Sequence, residues 1–175
     1  MRQFFKEKSS LYNSFGKRLI DIVLSFIFLV LLCPVFIFIS IVIKLSDSGP
    51  IFFQQYRIGR EGKEFNLYKF RSMPIDTRDV PSSELSKIEL NLLQRFIRRT
   101  NLDELPQLFN ILIGEMSLVG PRPALISQED LISLRLEGGV LSLRPGLTGL
   151  AQINSYDGMS ILEKVKLDIS YLNNK

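Results

Sequence analysis

The chain has 175 residues with one cysteine and no histidine, which is long enough for one folded domain with its own core. The single cysteine excludes a disulfide framework and a cysteine-based zinc site, and the missing histidine excludes Ser-His and Cys-His nucleophile pairs. Residues 1–45 carry six Lys and Arg against two acidic residues, whereas residues 46–175 carry sixteen of each sign. The net charge of +4 therefore lies in the N-terminal part, which favours contact with anionic lipid over nucleic acid.

An uncharged apolar run extends from Ile22 to Ile43, enough as a helix for about 33 Å of hydrocarbon. Pro34, directly after Cys33, predicts a bend near its middle, because proline removes a backbone hydrogen bond and crowds the carbonyl four residues earlier. Basic residues flank both ends, so the positive-inside bias gives no direction of crossing. The residues leave two alternatives open: a re-entrant helix that bends back to the same face, and an ordinary kinked span.

Beyond the run, alternating apolar and polar residues predict two strands, Ile51–Tyr56 and Phe65–Arg71, joined as a hairpin by a turn at Arg60–Lys63. Residues 74–83, which include two prolines, predict a surface loop. Helical spacing of apolar residues predicts four helices at residues 84–99, 103–113, 124–136 and 161–172. This is an α+β pattern, which we divide into an N-terminal basic and membrane segment, 1–45, and a small, mainly helical catalytic domain, 46–175.

Two adjacent carboxylates, Asp103 and Glu104, are the first candidates for chemistry. The spacing of Thr100 and Asp103 is typical of a capping box, which predicts both carboxylates in the opening turn of the second soluble helix. Unpaired N–H groups and the positive end of the helix dipole favour anionic groups there. Such a pair can hold Mg²⁺ on a diphosphate, and one carboxylate can attack phosphorus. Acidic residues in a first helical turn are also routine without any chemical role.

Basic residues in stiff segments are the second set of candidates, because Arg and Lys clamp phosphate oxygens. The candidates for phosphate binding are Lys69 and Arg71 on the second strand, Arg122 in the Gly120–Pro123 loop, and Arg144 in the loop of residues 144–149. Each of them singly is also explained as a turn residue or a surface ion pair.

Taken in order, these stretches closely resemble the bacterial sugar transferase family, the monotopic phosphoglycosyl transferases. The resemblance extends from about Lys17 to Tyr171 and rests on these segments of the sequence: Lys17-Arg18-x-x-Asp21, Gly49-Pro50-Ile51-Phe52, Tyr68-Lys69-Phe70-Arg71-Ser72-Met73, Leu102-Asp103-Glu104-Leu105-Pro106-Gln107-Leu108-x-Asn110, Gly114-x-Met116-Ser117-Leu118-Val119-Gly120-Pro121-Arg122-Pro123 and Arg144-Pro145-Gly146-Leu147-Thr148-Gly149-x-Ala151-Gln152.

The resemblance implies that a UDP-sugar gives its sugar-1-phosphate to polyprenyl (undecaprenyl) phosphate, with release of UMP. It implies that Asp103 attacks the sugar-bearing phosphorus to form a covalent intermediate, that Mg²⁺ neutralises the diphosphate, and that Glu104 orients Asp103 or the metal. It also implies a re-entrant membrane helix, bent at Cys33 and Pro34, in the bacterial inner membrane with the active site at the cytoplasmic face. The partners would be inner-membrane lipid and, for later steps, downstream glycosyltransferases.

The sequence departs from the family pattern at two places. Cys33 stands where many members have serine, and a thiol bonds back to a helix carbonyl more weakly than a hydroxyl. The sequence also stops at Lys175, just after Asp168–Tyr171, where members usually continue with a further amphipathic segment. The alternative hypothesis is therefore a non-catalytic membrane scaffold that recruits later glycosyltransferases, and a third is a lipid-surface diphosphate hydrolase that uses the same carboxylates.

Overall fold

The computed structural model describes residues 2–46, 49–73, 91–155 and 159–174, with side chains from residue 15 onward. Within these ranges the fold is α+β, as the sequence predicts. Short 3-10 turns lie at Arg60–Gly62, Leu102–Glu104 and Val140–Ser142. In chain order the helices and strands are α1 (Arg2–Leu31), α2 (Cys33–Ser46), β1 (Phe52–Ile58), β2 (Glu64–Phe70), α3 (Leu92–Arg99), α4 (Gln107–Ile113), β3 (Ser117–Val119), β4 (Ala124–Leu125), α5 (Glu129–Glu137), β5 (Gly146–Thr148), α6 (Leu150–Ile153) and α7 (Ile161–Asn174).

Helices α1 and α2 form the apolar N-terminal segment and meet at an angle of 60°. The break lies between the end of α1 and the first turn of α2, which begins at Cys33 and contains Pro34. Proline has no N–H to donate to the carbonyl four residues earlier, and the ladder resumes where the Phe36 N–H donates to Leu32 O (2.9 Å). The predicted bend at Cys33 and Pro34 is confirmed.

No single helix in the described part of the chain is both long enough and apolar enough to cross a bilayer. The bent pair meets those requirements of length and composition only when residues 15–31 and 33–46 are taken together.

Strands β1 and β2 confirm the predicted hairpin. They pair antiparallel from Phe52 opposite Phe70 to Ile58 opposite Glu64, with a 3-10 turn between them. The two-residue strand β4 extends this sheet on the free edge of β1, so the sheet order is β2-β1-β4.

The predicted helix at residues 124–136 is wrong at its start. Ala124 and Leu125 pair with Ile58 and Arg57 of β1 as a strand, and α5 begins only at Glu129. Tertiary pairing with the edge of β1 outweighs the helical spacing here, because it satisfies the backbone groups of both segments.

The predicted capping box is also wrong. The Thr100 hydroxyl donates to Phe96 O at 2.8 Å in the last turn of α3, and Asn101 then adopts a left-handed conformation with φ of +54°. Asp103 therefore lies in a 3-10 turn, and α4 begins only at Gln107. Threonine here completes the end of one helix and does not cap the start of the next.

The other soluble helices agree with the prediction where they are described. α7 covers the predicted segment 161–172, and α3 begins at Leu92 after Asn91, whose side chain accepts from the Gln94 N–H in a capping box. Residues 84–90 of the predicted helix, and the predicted loop at 74–83, lie outside the described residues.

Strands β3 and β5 form a parallel pair that the sequence did not reveal, with Ser117 opposite Gly146 and Val119 opposite Thr148. The pairing joins two loops that are far apart in the chain, the Gly120–Pro123 loop after β3 and the loop of residues 144–149.

The core is built from the apolar faces of the sheet, the helices and the N-terminal segment. One buried group includes Phe65 and Leu67 of β2 with Ile111 of α4, and a second joins Ile39 of α2 to Phe70. The second half of the bent segment therefore packs directly on residues 46–175, and Leu102 and Leu105 of the carboxylate turn pack against the same apolar group.

Candidate active site

The two adjacent carboxylates are presented by the 3-10 turn that follows α3. The left-handed Asn101 reverses the chain after α3, a conformation that asparagine tolerates better than most residues. The turn packs against β2, which brings Lys69 to the carboxylates.

Glu104 is held by two cations. Its Oε1 accepts from Lys69 Nζ at 2.9 Å and from Arg122 Nη2 at 2.7 Å, and its side chain is 13% exposed. Burial opposes ionisation of Glu104, but the charges and hydrogen bonds of Arg122 and Lys69 outweigh it and lower the pKa to about 2. Glu104 is therefore ionised at neutral pH, and its charge is largely neutralised.

Asp103 has different surroundings although it is the next residue. It is 7% exposed, and its Oδ2 accepts from Ser72 Oγ at 3.2 Å. Burial, together with the charge of Glu104, raises the pKa of Asp103, while Lys69, Arg98 and the Ser72 hydrogen bond oppose the rise. Its carboxylate is poorly solvated and less neutralised than that of Glu104, so Asp103 is the more basic of the two.

The loop that carries Arg122 is held by close backbone packing of three glycines. A Cβ on Gly120 would lie 2.5 Å from Arg144 O, and side chains on Gly146 or Gly149 would overlap backbone atoms of Gly120. The Gly120 N–H donates to Thr148 O, and the Gly146 N–H donates to Pro121 O, each at 2.8 Å. This contact of the two loops sets the position from which Arg122 reaches Glu104.

A groove of about 560 Å³ lies beside this ion-pair cluster. Glu104 and Arg122 form its charged wall, and Asp103 does not line it. The remaining lining residues are Asn101, Leu105, Leu147, Thr148, Gln152, Ile153 and Ser155. The groove is large enough to hold a small polar ligand with an anionic group next to Arg122.

The other two predicted phosphate ligands do not line this groove. Arg71 follows β2 and is buried at 7% exposure. Arg144 donates from Nε to Gly114 O at 2.9 Å, where α4 ends. Burial and the nearby charges of Arg18 and Arg60 lower the pKa of Arg144. Of the four predicted basic residues, the structure thus brings Lys69 and Arg122 to the carboxylates.

Asp103 and Glu104 are the side chains that can hold a divalent cation at this site. The described residues contain no group of three or more acidic, cysteine or histidine side chains arranged for a metal. Mg²⁺ commonly takes only one or two protein carboxylates and completes its shell with water and substrate phosphates. The pair of carboxylates does not form a closed metal cage, and it would hold Mg²⁺ only together with a phosphate ligand.

Two residues at this site were missed by reasoning from the sequence. Ser72 donates to Asp103 across 31 positions of the chain, and Gln152 lines the groove while its Nε2 donates to Leu147 O at 3.1 Å. Both belong to segments that carry the family resemblance, but a linear pattern does not show that they meet the carboxylate turn.

The sequence also matches a known protein family. Residues 12–175 match the model of the family described as bacterial sugar transferase. The chain belongs to the bacterial sugar transferase family. This agrees with the resemblance of its motifs.

Individual proteins that are similar to this chain support the same family assignment. The chain is 40% identical over 164 residues to the UDP-glucose:undecaprenyl-phosphate glucose-1-phosphate transferase of Klebsiella pneumoniae, which covers 91% of this chain and 35% of that protein. It is 40% identical over 169 residues to the protein of that name in Escherichia coli K12, covering 91% and 36%. It is also 40% identical over 159 residues to the uncharacterized sugar transferase EpsL of Bacillus subtilis, covering 90% and 78%. The chain thus spans about a third of the first two relatives.

Proposed function

We propose that this chain is a phosphoglycosyl transferase that moves sugar-1-phosphate from a UDP-sugar to polyprenyl (undecaprenyl) phosphate and releases UMP. The observation that carries the proposal is the contrast between the two carboxylates: Glu104 is neutralised by Lys69 and Arg122, whereas Asp103 is buried and has a raised pKa. Two relatives are named as UDP-glucose:undecaprenyl-phosphate glucose-1-phosphate transferases, and the proposal brings that class of reaction to this chain.

The reaction proceeds in two displacements. In the first, a carboxylate oxygen of Asp103 bonds to the sugar-bearing phosphorus, the bridging P–O bond breaks, and UMP leaves with the bonding electrons. In the second, a phosphate oxygen of the lipid attacks the same phosphorus and releases the Asp103 carboxylate. The product is a polyprenyl diphosphate sugar, which is the first membrane-bound intermediate of glycan or glycoconjugate synthesis.

The surrounding residues bind and orient the diphosphate. Arg122 lines the groove and has donors suited to phosphate oxygens, while Lys69 holds Glu104 from the β2 side. Asp103 and Glu104 would also hold Mg²⁺, which supplies neutralisation of the diphosphate charge when bound. Because its pKa is about 2, Glu104 stays ionised well below neutral pH and keeps its ion pairs with Lys69 and Arg122.

The bent helix pair fits a re-entrant anchor in one leaflet of the bacterial inner membrane, with the catalytic domain on the cytoplasmic face. Basic residues at both ends of the apolar segment and its 60° bend support this arrangement. Peptide tags fused to each end of the chain test it: in spheroplasts both tags should be protected from an impermeant label, and in inverted vesicles both should react. A tag that reacts from outside in spheroplasts would overturn the re-entrant arrangement.

Assay of the purified chain in detergent with Mg²⁺, polyprenyl phosphate and a panel of UDP-sugars tests the transferase. We expect UMP release and a phosphosugar adduct detectable by mass spectrometry before lipid is added. Asp103→Asn should abolish the adduct, because the amide is not a nucleophile. Glu104→Gln should reduce the rate about 10²-fold or more, in the range for loss of a positioned charged group, but should still give an adduct on Asp103.

Three results of this assay would change the proposed reaction or the role of Asp103. An adduct that persists in Asp103→Asn and disappears in Glu104→Gln would assign the nucleophile to the groove-lining Glu104. Product formed without any lipid acceptor would indicate a hydrolase. A folded protein with no UMP release from any UDP-sugar would overturn the transferase proposal.

A further inference from the structure

The C-terminal helix α7 holds the Arg122 loop from one side through a tyrosine. Tyr171 Oη donates to Val119 O at 3.1 Å, directly before Gly120. Ser117 Oγ also lies 3.0 Å from Val119 O, but its single proton faces the closer Asp21 carboxylate at 2.8 Å. Burial and the charge of Asp21 raise the pKa of Tyr171, which favours the protonated hydroxyl that donates this bond.

The same helix holds the loop from the other side through a buried ion pair. Asp168 Oδ2 accepts from Arg135 Nε at 3.0 Å and from Nη2 at 2.7 Å. The same guanidinium also donates from Nη1 to Arg122 O at 2.7 Å. Arg135 therefore links α7 to the backbone of the residue whose side chain binds Glu104.

Burial strengthens the hydrogen bonds between Arg135 and Asp168. The Arg135 and Asp168 side chains are 6% and 2% exposed, so water does not compete for their hydrogen bonds. α5 and α7 also share an apolar contact, in which Leu131 packs with Val165. A buried ion pair is weak evidence for a purely stabilising role, because removing two charges from water opposes their attraction.

Both contacts end on backbone carbonyls that flank the glycine-proline segment of the loop. Val119 O lies before that segment and Arg122 O lies at its end, so the two bonds fix the backbone from which the Arg122 side chain extends. The Arg122 guanidinium is the more exposed partner of its ion pair with Glu104, at 46%, so its own side-chain packing does little to hold it. Its position depends on the backbone beneath it.

We propose that Asp168 and Tyr171 are positioning residues that hold the Val119–Arg122 backbone so that Arg122 remains on Glu104. The proposal rests on the transferase function, since it assigns the two residues a part in that reaction. Neither residue contacts the groove, and both act through other groups: Asp168 through Arg135, and Tyr171 through Val119 O.

Tyr171→Phe is the mildest test, because it removes one oxygen and keeps the ring. In the UMP-release assay we expect kcat to fall about threefold to tenfold, the range for one hydrogen bond, with KM for the UDP-sugar changed less than about twofold. Hydrogen–deuterium exchange should speed up in peptides covering residues 117–125. Tyr56→Phe, at an exposed tyrosine on β1, is the matched control and should change neither measurement.

Asp168→Asn is the stronger test, because it leaves the buried Arg135 charge without its partner. We expect a larger fall in kcat, of about tenfold or more, and faster exchange in the same peptides. If this variant does not fold, Tyr171→Phe and its exchange profile still decide the question.

Unchanged exchange and unchanged kcat in Tyr171→Phe would overturn the proposal. Faster exchange with unchanged kcat would also overturn it, because the hold on the loop would then be structural only. A wild-type chain without any UMP release would overturn the transferase function instead, and exchange in the 117–125 peptides would still show whether α7 holds the loop.

Discussion

Asp103 and Glu104 are neighbours in the chain, and their surroundings shift their pKa values in opposite directions. Burial raises the pKa of Asp103, whereas Arg122 and Lys69 overcome burial and lower the pKa of Glu104 to about 2. Two carboxylates with separated pKa values are suited to separate roles. The division of labour proposed for the transferase follows from this difference in environment, since the side chains themselves are chemically alike.

The lowered pKa of Glu104 predicts how stability depends on pH. Its ordinary pKa of 4.5 falls to about 2 in the fold, so the stabilisation is fully present above pH 4.5 and is lost as the pH falls through about 2. The linked free energy is on the order of 3 kcal/mol at neutral pH. Glu104→Gln should lack this contribution.

Thermal melts in buffer with a metal chelator measure the effect. The Tm of the wild type should exceed that of Glu104→Gln by the most near pH 6, and the gap should narrow as the pH falls below 4.5. Glu61→Gln, an exposed carboxylate on the hairpin turn, is the control and should leave the pH dependence of Tm unchanged. A gap that does not change with pH would contradict the ion-pair origin of the shift.

At the scale of elements, the site depends on the parallel pair β3 and β5 and on the glycines in and next to these strands. The packing of Gly120 against Gly146 and Gly149 leaves no room for a side chain. Glycine is required here for close backbone approach, which is independent of any left-handed conformation.

Gly146→Ala should therefore separate the two loops. The new Cβ would overlap Gly120 N, which is backbone and cannot swing away, so we expect a loss of about 2–4 kcal/mol in the free energy of unfolding. Transferase activity should fall with it, because Arg122 would move from Glu104. Chemical unfolding and the UMP assay measure the two effects.

Gly16→Ala is the matched control. Gly16 lies in α1, where a Cβ would meet nothing within 4 Å. Alanine should there be neutral or stabilising by about 0.5–1 kcal/mol, since glycine weakens a helix interior. If Gly146→Ala and Gly16→Ala had the same free energy of unfolding and the same activity, the loops would tolerate a wider separation than their geometry indicates.

At the scale of the whole molecule, Asp21 joins the bent N-terminal segment to the catalytic domain. Asp21 is 4% exposed, and its carboxylate accepts from Ser117 Oγ at 2.8 Å and from the Leu118 N–H at 3.0 Å. Lys17 pairs with it one turn earlier in α1, and Arg18 donates to two carbonyls at the end of α4. The basic residues next to the apolar segment thus bind protein groups in addition to any lipid they meet.

Asp21→Asn should weaken this junction. The amide cannot accept from all the donors that face the carboxylate, so we expect a loss of about 1–3 kcal/mol, typical for hydrogen bonds to a buried charged group. The melting temperature in detergent should fall. Asp130→Asn, an exposed carboxylate on α5, is the control and should change stability by no more than about 0.5 kcal/mol. Equal melting temperatures would show that the junction carries no net stability.

The sequence by itself determined the features that depend on neighbouring residues. Pro34 fixed the bend because a missing N–H acts within one helical turn, and the alternation around Phe65 and Leu67 predicted β2 because strand periodicity is local. The motifs also identified the family and the carboxylate pair.

Only the tertiary structure decided which cations meet that pair. Lys69 is 35 positions from Glu104 and Arg122 is 18, and no local rule selects these two over Arg71 and Arg144. The capping interpretation of Thr100 was wrong because its hydroxyl had an alternative partner at the end of α3. The roles of charged side chains here are set by burial and by partners that meet only when strands and loops pack, and a linear pattern does not contain that information.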